Sequence, residues 1–379
     1  MSEIWKTATL SEFVKEFIVP QRDKPTTFGG DIPWCRIEDF EGPYLSASKS
    51  GKCVTTKSVT EMPLRVFPTN TVLVSCSANL GKCAITTRPL VTNQTFIGLV
   101  PKDAVDSKFL YYLMGSKAAL LNEMATGVTI RYLSREKFSN LPVSIPSLPE
   151  QQRIVRLLDE AFEAIAIAKA NAEKNFQNAR TLFESQLASI YLGGSGMWPS
   201  APLGEICEVL DSLRKPVTKR DRTAGSYPYY GATGVVDHVA DYLFDEPLVL
   251  IGEDGARWDA GAKSAFLVSG KVWVNNHAHV VRPDRQRVLD QWLVFYMNQT
   301  DLNKYVSGLT VPKLNQGNLR EIPIPIPKID EQQLIVDKLK ELESSTNYLA
   351  KTYAAKIRAC EELRASLLNE AFAGNLMAA

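Results

Sequence analysis

Gly252-Glu253-Asp254-Gly255-Ala256-Arg257 puts two carboxylates and a guanidinium within one short run. Such carboxylates can accept a hydrogen bond from a cytosine amino group, and the arginine can fork onto guanine. The same run could be read as an acidic metal loop, though one short loop with two carboxylates is a weak signal. Its composition also describes a solvated turn. His277 and His279 stand two apart, so a strand there would carry both rings on one face. A metal centre would need cysteine or carboxylate partners at recognised spacing, and Cys76 and Cys83 are too far apart for a zinc knuckle. A packed or hydrogen-bonded histidine pair, with no metal, is the expectation. Ser75, Ser77, Asn79 and Lys82 form a second polar run, suited to base edges or phosphates and equally to an ordinary hairpin loop. Tyr227, Tyr229 and Tyr230 precede the turn Gly231-Ala232-Thr233-Gly234. Tyr230 and Thr233 are candidates for approaching a nucleic-acid backbone, while at least one of the three tyrosines belongs to a core. No G-x-S-x-G, P-loop or strand-to-helix G-x-G-x-x-G occurs, nor an Asn/Asp-Pro-Pro-aromatic element. The side chains point to binding, with no catalytic residue in the chain.

The elements that must hold these residues are duplicated. Residues 127–160, GVTIRYLSREKFSNLPVSIPSLPEQQRIVRLLDE, align without a gap on 308–341, GLTVPKLNQGNLREIPIPIPKIDEQQLIVDKLKE, at a constant offset of 181 with 13 identities in 34 positions. Such self-similarity marks a tandem duplication. Thr129, Arg131 and Tyr132 thereby match Thr310, Pro312 and Lys313, a loop kept in type and varied in side chain, as sequence reading would require. Upstream the match loosens. Ile32-Pro33-Trp34 faces Tyr227-Pro228-Tyr229, residues 89–101 face 271–283, and FLYYLM at 109–114 faces WLVFYM at 292–297. Short β-branched and aromatic runs broken by Gly, Pro and Asn predict a mixed domain rich in short strands in each copy.

Each block ends in a long helix. Ser147 and Glu150 have capping-box spacing, and Asp330 with Gln333 offers the equivalent. Apolar residues recur every three or four positions: Ile154, Leu158, Ala161, Ile165, Ala168, Ala172, Ala179 and Leu182, then Ile335, Leu339, Leu342, Leu349, Tyr353, Cys360, Leu363 and Leu367. This is a coiled-coil seam. Asn175 and Lys356 interrupt it at matching positions, either as register-setting polar residues or because the seam opens to solvent. Gly193 and Gly374, 181 apart, suit left-handed C-terminal caps. A helix from Glu150 to Leu192 would be roughly 65 Å long, a spacer best paired with its counterpart. The expected fold is α+β: two similar mixed α/β blocks, 1–149 and 198–330, joined by spacer helices, 150–197 and 331–379. The helices would pair antiparallel, giving a pseudo-twofold object that grips two unlike half-sites of an extended ligand.

The duplicated G-x-T…P-x-x-I-P…E-Q-Q-x-I-V pattern opening two long helices resembles the specificity subunit of Type I restriction-modification systems. The closing LLNEAFAGNL, and IGEDGARW followed by NNHAHVVRP, fit the same resemblance, which runs the whole chain. It implies two target-recognition domains, each reading one half-site of double-stranded DNA, with the helices as a ruler. It implies two methylation subunits that use S-adenosylmethionine on adenine, and two restriction subunits that use ATP and Mg. The specificity chain itself would bind no cofactor and catalyse nothing. A coiled-coil scaffold joining two protein-binding blocks, without DNA, is the alternative.

Composition agrees with that reading. At 379 residues, 45% hydrophobic and 22% charged, the chain exceeds one domain and excludes collagen-like, disordered and disulfide-scaffold classes. Six scattered cysteines and no signal-like or membrane-length apolar segment predict a cytoplasmic protein with reduced thiols. Net charge is +1 overall, too low for a binder held by its own counterion release. Partners are expected to supply much of the phosphate grip.

Overall fold

The computed structural model describes residues 5–20, 24–77, 79–127, 131–194, 196–308 and 310–373. The chain forms two compact units, residues 1–171 with 356–379, and residues 172–355. Each therefore contains one block and a portion of both long helices.

In the first unit a five-stranded sheet runs Val14–Ile18, Phe96–Pro101, Val72–Ser75, Cys83–Thr86, Tyr44–Leu45. Ile32–Cys35 pairs antiparallel with Cys53–Val54 and parallel with Val91–Thr92. In the second unit one four-stranded sheet runs Cys207–Val209, Ala278–Pro283, Leu248–Gly252, Ala265–Val268, and another runs Gly234–Val239, Ala224–Gly231, Lys271–Val274, Phe244–Asp245. The loose upstream alignment has its physical counterpart here. Trp34 pairs parallel with Val91 as Tyr229 pairs with Trp273, and Val74 faces Ile97 as Ile251 faces His279. The central strands Val72–Ser75 and Leu248–Gly252 are buried throughout, hence their unbroken apolar runs. The matched helices Ser107–Ser116 and Asp290–Gln299 cover these sheets with Phe109, Leu110 and Leu113 and with Trp292, Leu293 and Met297.

A short antiparallel ribbon leads into each long helix: Lys6–Thr9 with Pro142–Ile145, and Ser200–Pro202 with Pro323–Pro325. The helices run Leu148–Gly194 and Ile329–Phe372. Their starts are stapled by one repeated residue. Gln151 accepts from the Asp106 N–H at 2.8 Å and donates to the Ala104 and Pro146 carbonyls. Gln332 likewise accepts from Leu289 N–H at 2.9 Å and donates to Arg287 and Pro327.

Within each unit the two helices run antiparallel. In the first, Ile154 and Leu158 share a core with Ala371, and Lys169 pairs with Glu361 at 2.6 Å. In the second, Leu187 and Tyr191 share a core with Val336 and Leu339. Ile154, Leu158, Ile165 and Leu339 are buried as expected, and Ile335 and Leu342 are half-buried. Leu182, Leu349 and Leu363 are instead exposed. Phe162 and Phe183, four residues after Leu158 and Ala179, pack into the cores of the first and second units, whereas Ala168 and Leu182 are exposed. Aromatic side chains reach across where the smaller residues would not. The same shift puts Ile357 at the seam and leaves Lys356 on the exposed flank.

Two terminal details differ from expectation. The first helix continues through Gly193 to Gly194, so Gly193 is no left-handed cap, and Gly374 lies outside the described residues. The second helix begins before Asp330, and Gln333 donates forward to Asp337 at 2.7 Å, so these two form no capping box. Glu150 holds Arg153 through two 2.7 Å bonds.

Candidate nucleic-acid interface

The polar runs singled out by type come together in space, pairwise, in both units. In the first, Ser77 bridges Tyr132, Tyr132 also pairs with Thr126, and Leu133 N–H donates to Cys76 carbonyl at 2.9 Å. In the second, Asp254 bridges Lys313, Lys313 pairs with Ser307, and Leu314 N–H donates to Glu253 carbonyl at 2.8 Å. Tyr132 and Lys313 are repeat equivalents, and so are Thr126 and Ser307. One scaffold thus presents the same loop pair twice with unlike side chains. The Gly-x-Thr of the repeat has its reason here: Gly127 and Gly308 sit at φ +122 and +96, where a side chain is strained. A Cβ on Gly308 would lie 2.4 Å from the Val311 carbonyl oxygen.

Individual candidates divide by exposure. In the first unit Asn79, Lys82, Arg131 and Tyr132 are exposed, and Asn79 holds φ +51. Ser77 is half-buried, while Ser75 is buried with Oγ donating to Ser77 carbonyl at 2.7 Å. Thr129 lies outside the described residues. The loop is seated tightly, since a Cβ on Gly81 would meet Ala118 Cβ at 2.6 Å. In the second unit Thr233, Arg257 and Thr310 are exposed, and Arg257 pairs with Asp259 at 3.1 Å. Tyr230 is half-buried against Phe266. Tyr229 is the core tyrosine, its hydroxyl accepting from Val217 N–H.

Glu253 turns inward. Its carboxylate takes Lys313 Nζ at 2.8 Å and the Arg214 guanidinium. Arg214 also donates to Ala278 carbonyl at 2.8 Å and pairs with Asp211 at 3.3 Å. His279, fully buried, sets Nδ1 2.6 Å from Asp211 and Nε2 2.7 Å from Leu314 carbonyl. His277 does not share its face: it precedes the strand, is exposed, and meets Asp254 at 2.5 Å. Sequence reasoning missed Asp211 and Arg214 because nothing local marks them. Asp211, Glu253 and His279 bring three possible metal ligands within 4.8 Å of one another. Arg214 and Lys313 already neutralise those carboxylates, so the chemistry fits an ion-pair network better than a cation site.

This network fastens the loop 253–257 to the strand Ala278–Pro283, where the first unit has apolar Cys76 and Ile97. Burial pushes the Asp211 and Glu253 carboxyls up, but His279 for Asp211, and Lys313 and Arg214 for Glu253, outweigh it and hold both low. A depressed carboxyl stabilises the fold fully above its unfolded pKa and loses that contribution as pH falls through the folded one. The expected result is selective acid loosening of the second unit. Amide protection of Leu248–Gly252, relative to the unfolded chain at the same pH, should fall once pH drops below 4.5 and further below 3.8, while that of Val72–Ser75 holds. Burial pushes the Cys76 thiol up to about 12, far from that window.

Comparison with known proteins places this arrangement. The family model for the Type I restriction modification DNA specificity domain matches residues 3–175 and 196–359. The Escherichia coli Type I restriction enzyme EcoprrI specificity subunit is 28% identical over 349 residues, 86% of this chain and 84% of its own length. The Haemophilus influenzae protein S.HindORF215P is 34% identical over 171 residues, which is 45% of this chain and 42% of that protein. A chain from a structural study of complex assembly and conformational transition of the type I R-M system superposes with a TM-score of 0.77 at 16% identity, covering 98% of both chains, a likeness of fold.

Proposed function

This chain belongs to the Type I restriction-modification DNA specificity family, and from that premise we propose that it reads an asymmetric, two-part target in double-stranded DNA. Each block reads one short half-site. The chain positions two methylation subunits for adenine methylation with S-adenosylmethionine. With two restriction subunits, it directs cleavage that uses ATP and Mg. The chain contributes recognition and geometry; the chemistry belongs to the partners. The carrying observation is the repeated loop pair, Ser77 against Tyr132 and Asp254 against Lys313. One backbone device with unlike side chains is what two different half-sites require.

The charge distribution supports a shared grip. With 17 basic and 13 acidic residues in 1–149, and 15 against 16 in 199–330, neither block has the surplus that autonomous phosphate binding demands. Partner subunits closing on the DNA would supply it. Among the described residues no helix is long and apolar enough to cross a membrane.

The test is a genome-wide adenine-methylation map of the host with this gene intact and deleted. Loss of one two-part asymmetric motif on deletion is the expected result. An unchanged map, with the methylation subunit shown to be expressed, overturns the proposal and leaves the DNA-free scaffold.

A further inference from the structure

Beside the Asp254–Lys313 bridge the second unit holds an open cup of about 430 Å³, lined by the turn Gly231-Ala232, Val236, Asp254-Gly255, Asn275, His277 and Val311. Its wall is built by close approach: a Cβ on Gly252 would lie 3.0 Å from the Ala232 carbonyl oxygen, so the hairpin turn is held against the acidic loop. Asn275 forms part of the lining although only 6% exposed. Its Oδ1 accepts from His277 N–H at 2.8 Å, and its backbone N–H donates to Tyr230 carbonyl at 3.1 Å. The first of these bonds fixes which end of the amide is oxygen. The Nδ2 end, among the described residues, has no protein partner. That amide nitrogen is not sealed from solvent, so it can donate to a ligand that enters the cup.

The other walls supply complementary chemistry. Val236 and Val311 are 54% and 64% exposed, apolar side chains that nothing in their own unit covers. Asp254 gives Oδ1 to His277, and its second oxygen remains to accept. A donor, an acceptor and an apolar wall match the thymine O4, the adenine N6 amino group and the thymine methyl along one major-groove edge. A G·C pair has no methyl to fill the apolar side.

We infer that this cup reads a T·A pair in one half-site, with Asn275 donating to thymine O4 and Val236 and Val311 enclosing the methyl. The inference rests on the DNA-recognition reading above, and its test separates the two. The native motif is mapped first, so absence of any motif dependent on this gene counts against DNA recognition as such. Asn275→Asp keeps the oxygen that holds His277 and turns the donor into a charged acceptor, which thymine O4 repels. In a methylation map it should relax one A·T position by roughly tenfold and leave the other half-site intact. Relaxation of a G·C position, or none at all with the motif still methylated, overturns the cup's assignment.

A second measurement does not rely on the variant folding. In binding to the purified complex with its methylation subunits, deoxyuridine replaces each thymine of that half-site in turn. Loss of one methyl should weaken binding about fourfold at a single position. The doubly trimmed Val236→Ala, Val311→Ala chain should no longer distinguish thymine from uracil there. Equal binding of all the substituted duplexes by the unaltered chain overturns the inference while leaving the mapped motif standing.

Discussion

Arg214→Met destabilises the second unit by about 3–5 kcal/mol, the range for breaking one partner of a buried ion pair. The guanidinium is engaged on every side: Glu253, the Ala278 and Asp211 carbonyls, and the Asp211 carboxylate at 3.3 Å. Removing it leaves two buried carboxylates facing one another across His279, which lies 3.8 Å from Glu253. Lys313 still holds Glu253 and His279 still holds Asp211, so the loss falls short of complete unfolding. Arg214→Lys rescues little, because a single ammonium with three donors cannot span four acceptors held in different directions. Urea unfolding followed by amide exchange in Ala278–Pro283 measures the effect. A change below about 1 kcal/mol, the worth of an exposed pair, would show that the network does not hold the loop. Methylation at one half-site should fall with it, since the loop carrying Asp254 loses its seat.

That network also marks the limit of what the sequence revealed. Its members are Asp211, Arg214, Glu253, His279 and Lys313, brought together by strand order and not by spacing. Glu253 was visible as one of two carboxylates in a polar run, but its inward turn is set by register: the residue after Gly252, which pairs with Ala278, faces His279's side of the sheet. Asn275 was hidden for the same reason, being an ordinary strand-end residue until Gly231 and Asp254 are folded over it. By contrast, the 181-residue repeat made the architecture legible, down to which strands correspond. Matching residues in a duplicated chain must satisfy matching backbone groups. The seam shows an intermediate case. Leu182, Leu349 and Leu363 have the right chemistry at three-residue spacing, while the structure uses Phe162 and Phe183 at four. Both rows keep a heptad period, so periodicity alone could not choose between them.

The repeat carries a sharper lesson in Glu-Gln-Gln, identical in both copies yet employed alike at only one position. Glu150 pairs with Arg153, whereas Glu331 accepts from Trp198 Nε1 at 3.0 Å. Gln152 and Gln333 are exposed. Only Gln151 and Gln332 do the same work in both, each closing three backbone groups at the ribbon-to-helix corner. Gln332→Leu, similar in volume, strips partners from the Leu289 N–H and the Arg287 and Pro327 carbonyls. A buried orphan costs about 1–3 kcal/mol, and carbonyls tolerate the loss better than the N–H, so the expected destabilisation is about 3 kcal/mol. Gln151→Leu should cost the same in the first unit, through Asp106, Ala104 and Pro146. Glu331→Ala, exposed and holding one indole, should cost under about 1 kcal/mol. Amide exchange reads each unit separately: Gln332→Leu should release Asp290–Gln299, and Gln151→Leu should release Ser107–Ser116. If Gln332→Leu proved as mild as Glu331→Ala, the persistence of this glutamine through duplication would need a cause other than the corner it closes.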